Sequence, residues 1–310
     1  MGAALAQSKQ APVLIGWLNS GSRNTSGPRV AAFKEGMATL GWKEGSDFIL
    51  EEHWMDGRIE RLKPLAESLA AKKPAVIVAA TSDSVRAVAA AAPNTPVVQA
   101  NGGDPVSMGL VKSLASPGGM ITGLANLNTE VSGKFLELLL DTVPTLRRVG
   151  FLTDPTSRAY GPVMKLARQA IARYSVDAIF AEAARPEEIE SALSRLAKDG
   201  AQALVMMPSS WFEAEKESIL KRALAQRWPV VAGLREFAEV GALLSYGPDR
   251  SALYRRAAYY VDRILKGAKP GDLPIEQPTK FEMVVNMKTA KALGIIIPQS
   301  ILLRADQVIE

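Results

Sequence analysis

Short apolar runs rich in β-branched residues recur along this chain, each followed by a polar loop and then a segment of helical period. In the first half the runs predict strands over 13–18, 48–54, 75–80, 96–100 and 121–124. In the second half they predict strands over 149–153, 176–181, 203–207, 229–232 and 243–246. Between them, Tyr160, Val163, Met164, Ala167, Ala170 and Ile171 follow the i, i+3, i+4, i+7 spacing of a helix face, with Pro162 in the first turn, where it is tolerated. Tyr254, Ala257, Ala258, Val261, Ile264 and Leu265 repeat that spacing, ended by Gly267 and Pro270. Strands this short and this continuously apolar, alternating with helices, belong to parallel sheets covered on both faces.

The expected class is therefore α/β, with two doubly wound Rossmann-like lobes of about five strands each joined by a hinge. The division is expected near residues 124–130, after the fifth strand. The helix at 250–266 is expected to return to the first lobe, so that the chain crosses between lobes more than once. The corresponding domains are 1–11 as a residual tail, 12–125 plus about 249–275 as lobe 1, and 126–248 plus about 276–310 as lobe 2. With 310 residues, about two domains of roughly 150 residues fit.

Open parallel sheets bind ligands outside the carboxyl ends of their strands. In the first half those ends carry Asn19, Ser20 and Ser22, then Thr81 and Ser82, then Asn101 and Asp104. In the second half they carry Asp154, Ser157 and Tyr160, then Ser209 and Trp211, then Tyr246. Hydroxyls beside helix-start N–H groups suit a carboxylate or other small anion, and Ser82 can present both. An unpaired Asp suits an ammonium, with Asp104 and Asp154 as candidates. Trp17, Tyr160, Trp211, Phe212 and Tyr246 could form apolar walls, although Trp17 sits inside a strand and reads as core. Each Ser, Thr or Asp can equally be a helix N-cap, and Asp104-Pro105 a plain turn. The collective reading is a ligand cleft between lobes that close about the hinge.

Composition narrows the chemistry. Apolar residues make up 47% and charged residues 22%, which excludes disorder and coiled coil. No run is long and apolar enough to span a membrane. There is no Cys and a single His, His53, which disfavours thiol nucleophiles, Cys metal sites and a Ser-His-Asp device. No GxGxxG, Walker loop, HExxH or GxSxG is present, so no cofactor, metal or catalytic residue is expected. Lys plus Arg is 37 against 32 acidic residues, a net +5, but basic residues alternate with acidic ones and cluster only in pairs such as Arg255-Arg256. Nucleic acid needs a basic stripe, so it is not expected as a partner. Ala4-Leu5-Ala6 has the form of a signal-peptidase site, which predicts an exported, periplasmic protein whose signal peptide is largely removed.

At the polar strand ends a resemblance emerges. Residues 103–123, Gly-Asp-Pro-Val through Gly-Leu-Val, Pro-Gly-Gly and Thr-Gly, resemble the signature of an ABC-transporter substrate-binding family whose members bind tryptophan or phenylalanine. Residues 33–45, 235–247, 254–270, 272–294 and 303–306 match further, so the resemblance runs from about residue 12 to the end. It implies the type I periplasmic binding fold, a small-molecule ligand such as an amino acid, aromatic or other carboxylate-bearing solute, and a membrane permease as partner. Ser20, Ser82, Asn101, Asp104, Ser209 and Tyr246 fall at matching strand ends. Where many relatives read Gly-Thr-Pro-Ala after the third strand, this chain reads Ala80-Thr81-Ser82-Asp83, so the carboxylate site has different side chains. Where many read Gly-Asn before Thr-Gly, it has Gly119-Met120. The protein is expected to be a monomeric, non-enzymatic binding component of an importer. The alternatives are a ligand-sensing domain of the same fold or a two-lobed α/β enzyme.

Overall fold

A computed structural model describes residues 11–310, except Ser20, Gly57, Leu127, Arg158 and Ala159. The signal-peptide expectation and the candidate Ser20 lie outside the described residues. The chain divides into two compact units, residues 1–126 with 250–277 and residues 127–249 with 278–310, so it passes between them three times.

Unit 1 holds a five-stranded sheet, all parallel, ordered β2-β1-β3-β4-β5. Its strands are β1 (Val13–Asn19), β2 (Phe48–Trp54), β3 (Val76–Ala79), β4 (Val97–Gly102) and β5 (Ile121–Ala125). Central β3 is buried along its whole length, whereas edge strand β2 leaves Ile49 46% exposed, as expected where only one side of a strand is flanked. Trp17 is fully buried between Phe33 and Tyr254, with ring centroids 5.5 and 5.6 Å away, and is core. Tyr254 belongs to the helix Arg250–Leu265, which packs Leu253, Ala257, Ala258 and Val261 onto this sheet, returning the chain to unit 1.

Unit 2 departs from the expectation of five strands. Its sheet has seven, ordered β12-β11-β10-β9-β8-β6-β7. The expected ones are β6 (Arg148–Thr153), β7 (Asp177–Glu182), β8 (Ala203–Met206), β9 (Val230–Ala232) and β10 (Leu244–Pro248). The additional ones are β11 (Phe281–Asn286) and β12 (Gln307–Ile309). β11 runs antiparallel to β10, so it extends the sheet after a return through residues 250–277 in unit 1. Its last four residues are buried. Gly247 lets β10 pass the chain at Gly233, where a Cβ would lie 1.7 Å from the Gly233 carbonyl oxygen.

Candidate functional site

In unit 1 the polar loops at the carboxyl ends of β1, β3 and β4 are shaped by their own side chains, and those after β3 and β4 are tied together. Asn19 is 1% exposed, and its Oδ1 accepts from the Gly21 N–H at 2.8 Å. Its Nδ2 is buried with no partner, an unspent donor at the end of β1. Ser22 is half-buried in the same loop, and its carbonyl starts the next helix by accepting from Ser26. Thr81 caps the helix Ser82–Ala91, accepting from the Ser84 N–H at 3.3 Å. Ser82 does something other than cap: its Oγ accepts from the Gly103 N–H at 2.8 Å and joins the loops after β3 and β4. Asn101 is 7% exposed, and both its main-chain and side-chain oxygens accept from Asn126 Nδ2.

Asp104 is not unpaired. Its carboxylate accepts from the N–H groups of Val106 and Ser107 at 2.9 and 3.3 Å, which shapes the turn through Pro105. Asp154, in unit 2, is 5% exposed and is not unpaired either. Oδ1 accepts from the Thr156 N–H and Oγ1 at 2.9 and 2.6 Å, and Oδ2 from Ser209 Oγ at 2.8 Å. A buried carboxylate such as Asp154 needs such donors, and half-buried Asp104 likewise spends its carboxylate on its own turn. Ser209 also caps the helix Ser210–Ala214 by accepting from the Trp211 N–H at 3.1 Å.

The Asp154 to Ser209 contact brings two of the sequence candidates of unit 2 together. Ser157 lies in the same loop, its carbonyl accepting from the Tyr160 N–H at 2.9 Å. The Tyr160 hydroxyl donates to Glu182 at the end of β7, and this bond, with burial, raises its pKa above the usual phenol value. Tyr246 is half-buried on β10 against Phe281, ring centroids 5.9 Å apart. Trp211 is half-buried, whereas Phe212 is 1% exposed within the core and forms no wall. Gln99, Asn126, Thr156, Glu182 and Phe281 escaped sequence reasoning. Asn126 carried one signal, its place directly after the fifth apolar run.

His53 Nε2 lies 3.1 Å from Glu51 Oε1. A Lys72 hydrogen bond of 2.6 Å, assisted by His53 and opposed by burial, holds the Glu51 carboxyl below its usual pKa. Among the described residues no group of three or more His, Cys, Asp or Glu could hold a metal ion. None of the described helices is long and apolar enough to cross a membrane. A groove of about 810 Å³ in unit 1, lined by Val13, Ala75, Pro96, Met120 and Leu265, sits at the amino ends of the strands, away from these loops.

Two parallel-sheet units with polar loops at the strand carboxyl ends define a protein of the type I periplasmic binding fold. Residues 24–309 match the family model for ABC transporter substrate binding protein, and the chain belongs to that family. It is 24% identical over 263 residues to a tyrosine-binding protein of Clostridioides difficile, covering 84% of this chain and 75% of that protein. The ABC domain in complex with L-Trp from Streptococcus pneumonia superposes with a TM-score of 0.88 at 23% identity, over 96% of this chain and 100% of that one. A conserved domain protein from Vibrio cholerae gives 0.88 at 23% identity, over 96% and 99%.

Proposed function

We propose that this protein is the exported receptor of an ABC importer, a monomer that captures an amino acid with an aromatic side chain and delivers it to a membrane permease. The observation that carries this reading is the pairing of anchors and rings in unit 2. The Asp154–Ser209 pair and the Tyr160–Glu182 pair lie at strand carboxyl ends, and unit 2 also supplies Trp211 and the tilted Tyr246–Phe281 ring pair. Rings stack on rings, and preset polar pairs orient a zwitterion without reacting with it. The tyrosine-binding relative and the L-Trp complex support the same solute class.

Binding rather than catalysis fits the side chains. The chain has no Cys, and its one His is bonded to Glu51. The work is conformational: the solute shifts the protein toward the conformation that binds it better. The Asn101–Asp104 loop of unit 1 and the Asp154–Ser209 loops of unit 2 are the proposed contacts, with Asn19 Nδ2 as a further donor.

Isothermal titration with the twenty L-amino acids and a set of aromatic acids tests the assignment. Stoichiometric binding of L-tyrosine, L-tryptophan or L-phenylalanine, with no binding of glycine or L-glutamate, is the expected pattern. Binding of a sugar or of an aliphatic acid, with no aromatic amino acid bound, would overturn the solute class.

A further inference from the structure

A carboxamide has one accepting end and one donating end, and the end it offers to a ligand depends on what holds the other. Asn126 is the last residue of unit 1 before the chain crosses to unit 2. Its Nδ2 lies 2.8 Å from the main-chain oxygen of Asn101. A main-chain carbonyl only accepts, so this bond fixes which end of Asn126 faces Asn101. The same Nδ2 is 3.2 Å from the Asn101 side-chain Oδ1. A donor nitrogen needs an oxygen there, so Asn101 Oδ1 is turned toward Asn126 and Asn101 Nδ2 is turned away.

The surroundings leave little slack. The Asn126 N–H donates to the Gly102 carbonyl at 2.7 Å. Gln99 is fully buried, and its Nε2 donates to the carbonyls of Gly103 and Leu124, both at 3.0 Å. A Cβ on Gly102 would lie 2.4 Å from the Gln99 side chain, so only glycine lets the loop close over it. The Gly103 N–H is held by Ser82. Residues 101–103 are thus held by Ser82 after β3, by Asn126 after β5 and by Gln99 on β4.

We propose that Asn126 is a positioning residue that sets the polarity of the site. It locks the Asn101 carboxamide so that the end of β4 presents an N–H donor. The site therefore takes an acceptor oxygen of the solute at this point and turns away an ammonium. This rests on the reading of Asn101 as a solute contact.

A double-variant cycle tests it, with L-tryptophan and L-tyrosine as calorimetric probes. Asn126→Ala is expected to weaken binding about tenfold, the loss of one well-placed hydrogen bond. Asn101→Ala should weaken it at least as much, and the double variant should be no weaker than Asn101→Ala alone. Losses that multiply would overturn the proposal, because Asn126 would then act independently of Asn101. Asn126→Asp, isosteric and without the donor, gives the same reading should the alanine variant fold poorly. A ligand-free measurement separates this proposal from the solute assignment. In ¹⁵N-asparagine-labelled protein, the Asn101 side-chain amide signals, assigned with Asn101→Asp, should move to exposed-asparagine positions in Asn126→Ala. Unmoved signals would overturn the positioning role even if wild type binds both probes. Moved signals support it even if wild type binds neither and the solute class fails.

Discussion

At the scale of single residues, the loops carry groups that could cap helices or hold a solute, and the hydrogen bonds separate those roles. Thr81 and Ser209 cap, but Ser209 also donates to Asp154, and Ser82 bridges to Gly103. Asp154→Ala should lower the unfolding free energy by about 2 kcal/mol, because three donors lose a buried charged acceptor. Urea denaturation measures this, and Ser209→Ala added to Asp154→Ala should cost little more, since the pair is one interaction. A stability change under about 0.5 kcal/mol for Asp154→Ala would show that these hydrogen bonds add little to the fold. The types and places of most of these residues were legible in the sequence, because strand ends are where apolar runs stop. Their partners were not legible. Asp104 and Asp154 read as unpaired, yet Val106, Ser107 and Thr156 reach them through local turns, and only Ser209, 55 positions on, is brought by the fold. Asn126 carried only its place directly after the fifth apolar run, and its partner Asn101, 25 positions earlier, was not legible.

At the scale of elements, the ten strands predicted from apolar runs all form; central ones such as β3 and β8 are buried and apolar at every position and so stand out most clearly. β11 and β12 did not stand out. β11 joins antiparallel to β10 at one end of the order and opens with half-buried Phe281 and Glu282, and β12 is a three-residue edge. The segment before β11 is held by charge. Glu276 pairs by backbone bonds with Gly123 and Ala125 on β5, and its carboxylate binds Arg256 through two contacts of 2.6 and 2.9 Å. Arg256 lies 3.9 Å over the Tyr259 ring as well. Gly123 is obligatory in this arrangement, with φ +120° and a notional Cβ 2.2 Å from the Gln99 carbonyl oxygen. The Arg256 hydrogen bonds, opposed by burial, hold the Glu276 carboxyl below its usual pKa. A carboxyl with a lower pKa in the folded state contributes stability that is present above its unfolded pKa, about 4.3, and is lost as pH falls through the folded value. Glu276→Gln should therefore melt below wild type at pH 7, with the two midpoints converging as pH is taken under about 4. Thermal scans across that range decide it, and a gap that is the same at both ends would show that the ion pair contributes nothing.

At the scale of the whole molecule, each unit has its own apolar core. Unit 1 packs Trp17, Phe33 and Tyr254 on one face of its sheet and Leu18, Leu69 and Val85 on the other. Unit 2 packs Phe135, Phe151 and Val285 in one cluster and Leu196, Phe212 and Trp228 in another. Units with separate cores can unfold separately, even when three chain crossings join them. This makes heat unfolding a test of where the solute binds. A ligand that binds only the folded state stabilises it by about 2.7 kcal/mol at a hundred times Kd. If the solute is gripped by loops of both units, that stabilisation is lost as soon as either unit unfolds. Scanning calorimetry with a saturating aromatic amino acid should then raise the lower midpoint and draw the two transitions into one. A solute held by one unit alone would raise the midpoint of that unit and leave the other where it was. Single-unit variants assign the transitions: Trp17→Ala, costing about 3–5 kcal/mol from a filled core, should lower only the unit 1 transition in ligand-free protein. Saturating solute should partly restore it if the site spans both units, and the unit 2 transition should then fall with it, because the solute-derived stabilisation is lost from both when unit 1 unfolds. Two transitions that keep their separation at every solute concentration would overturn capture by two lobes and leave a one-sided site.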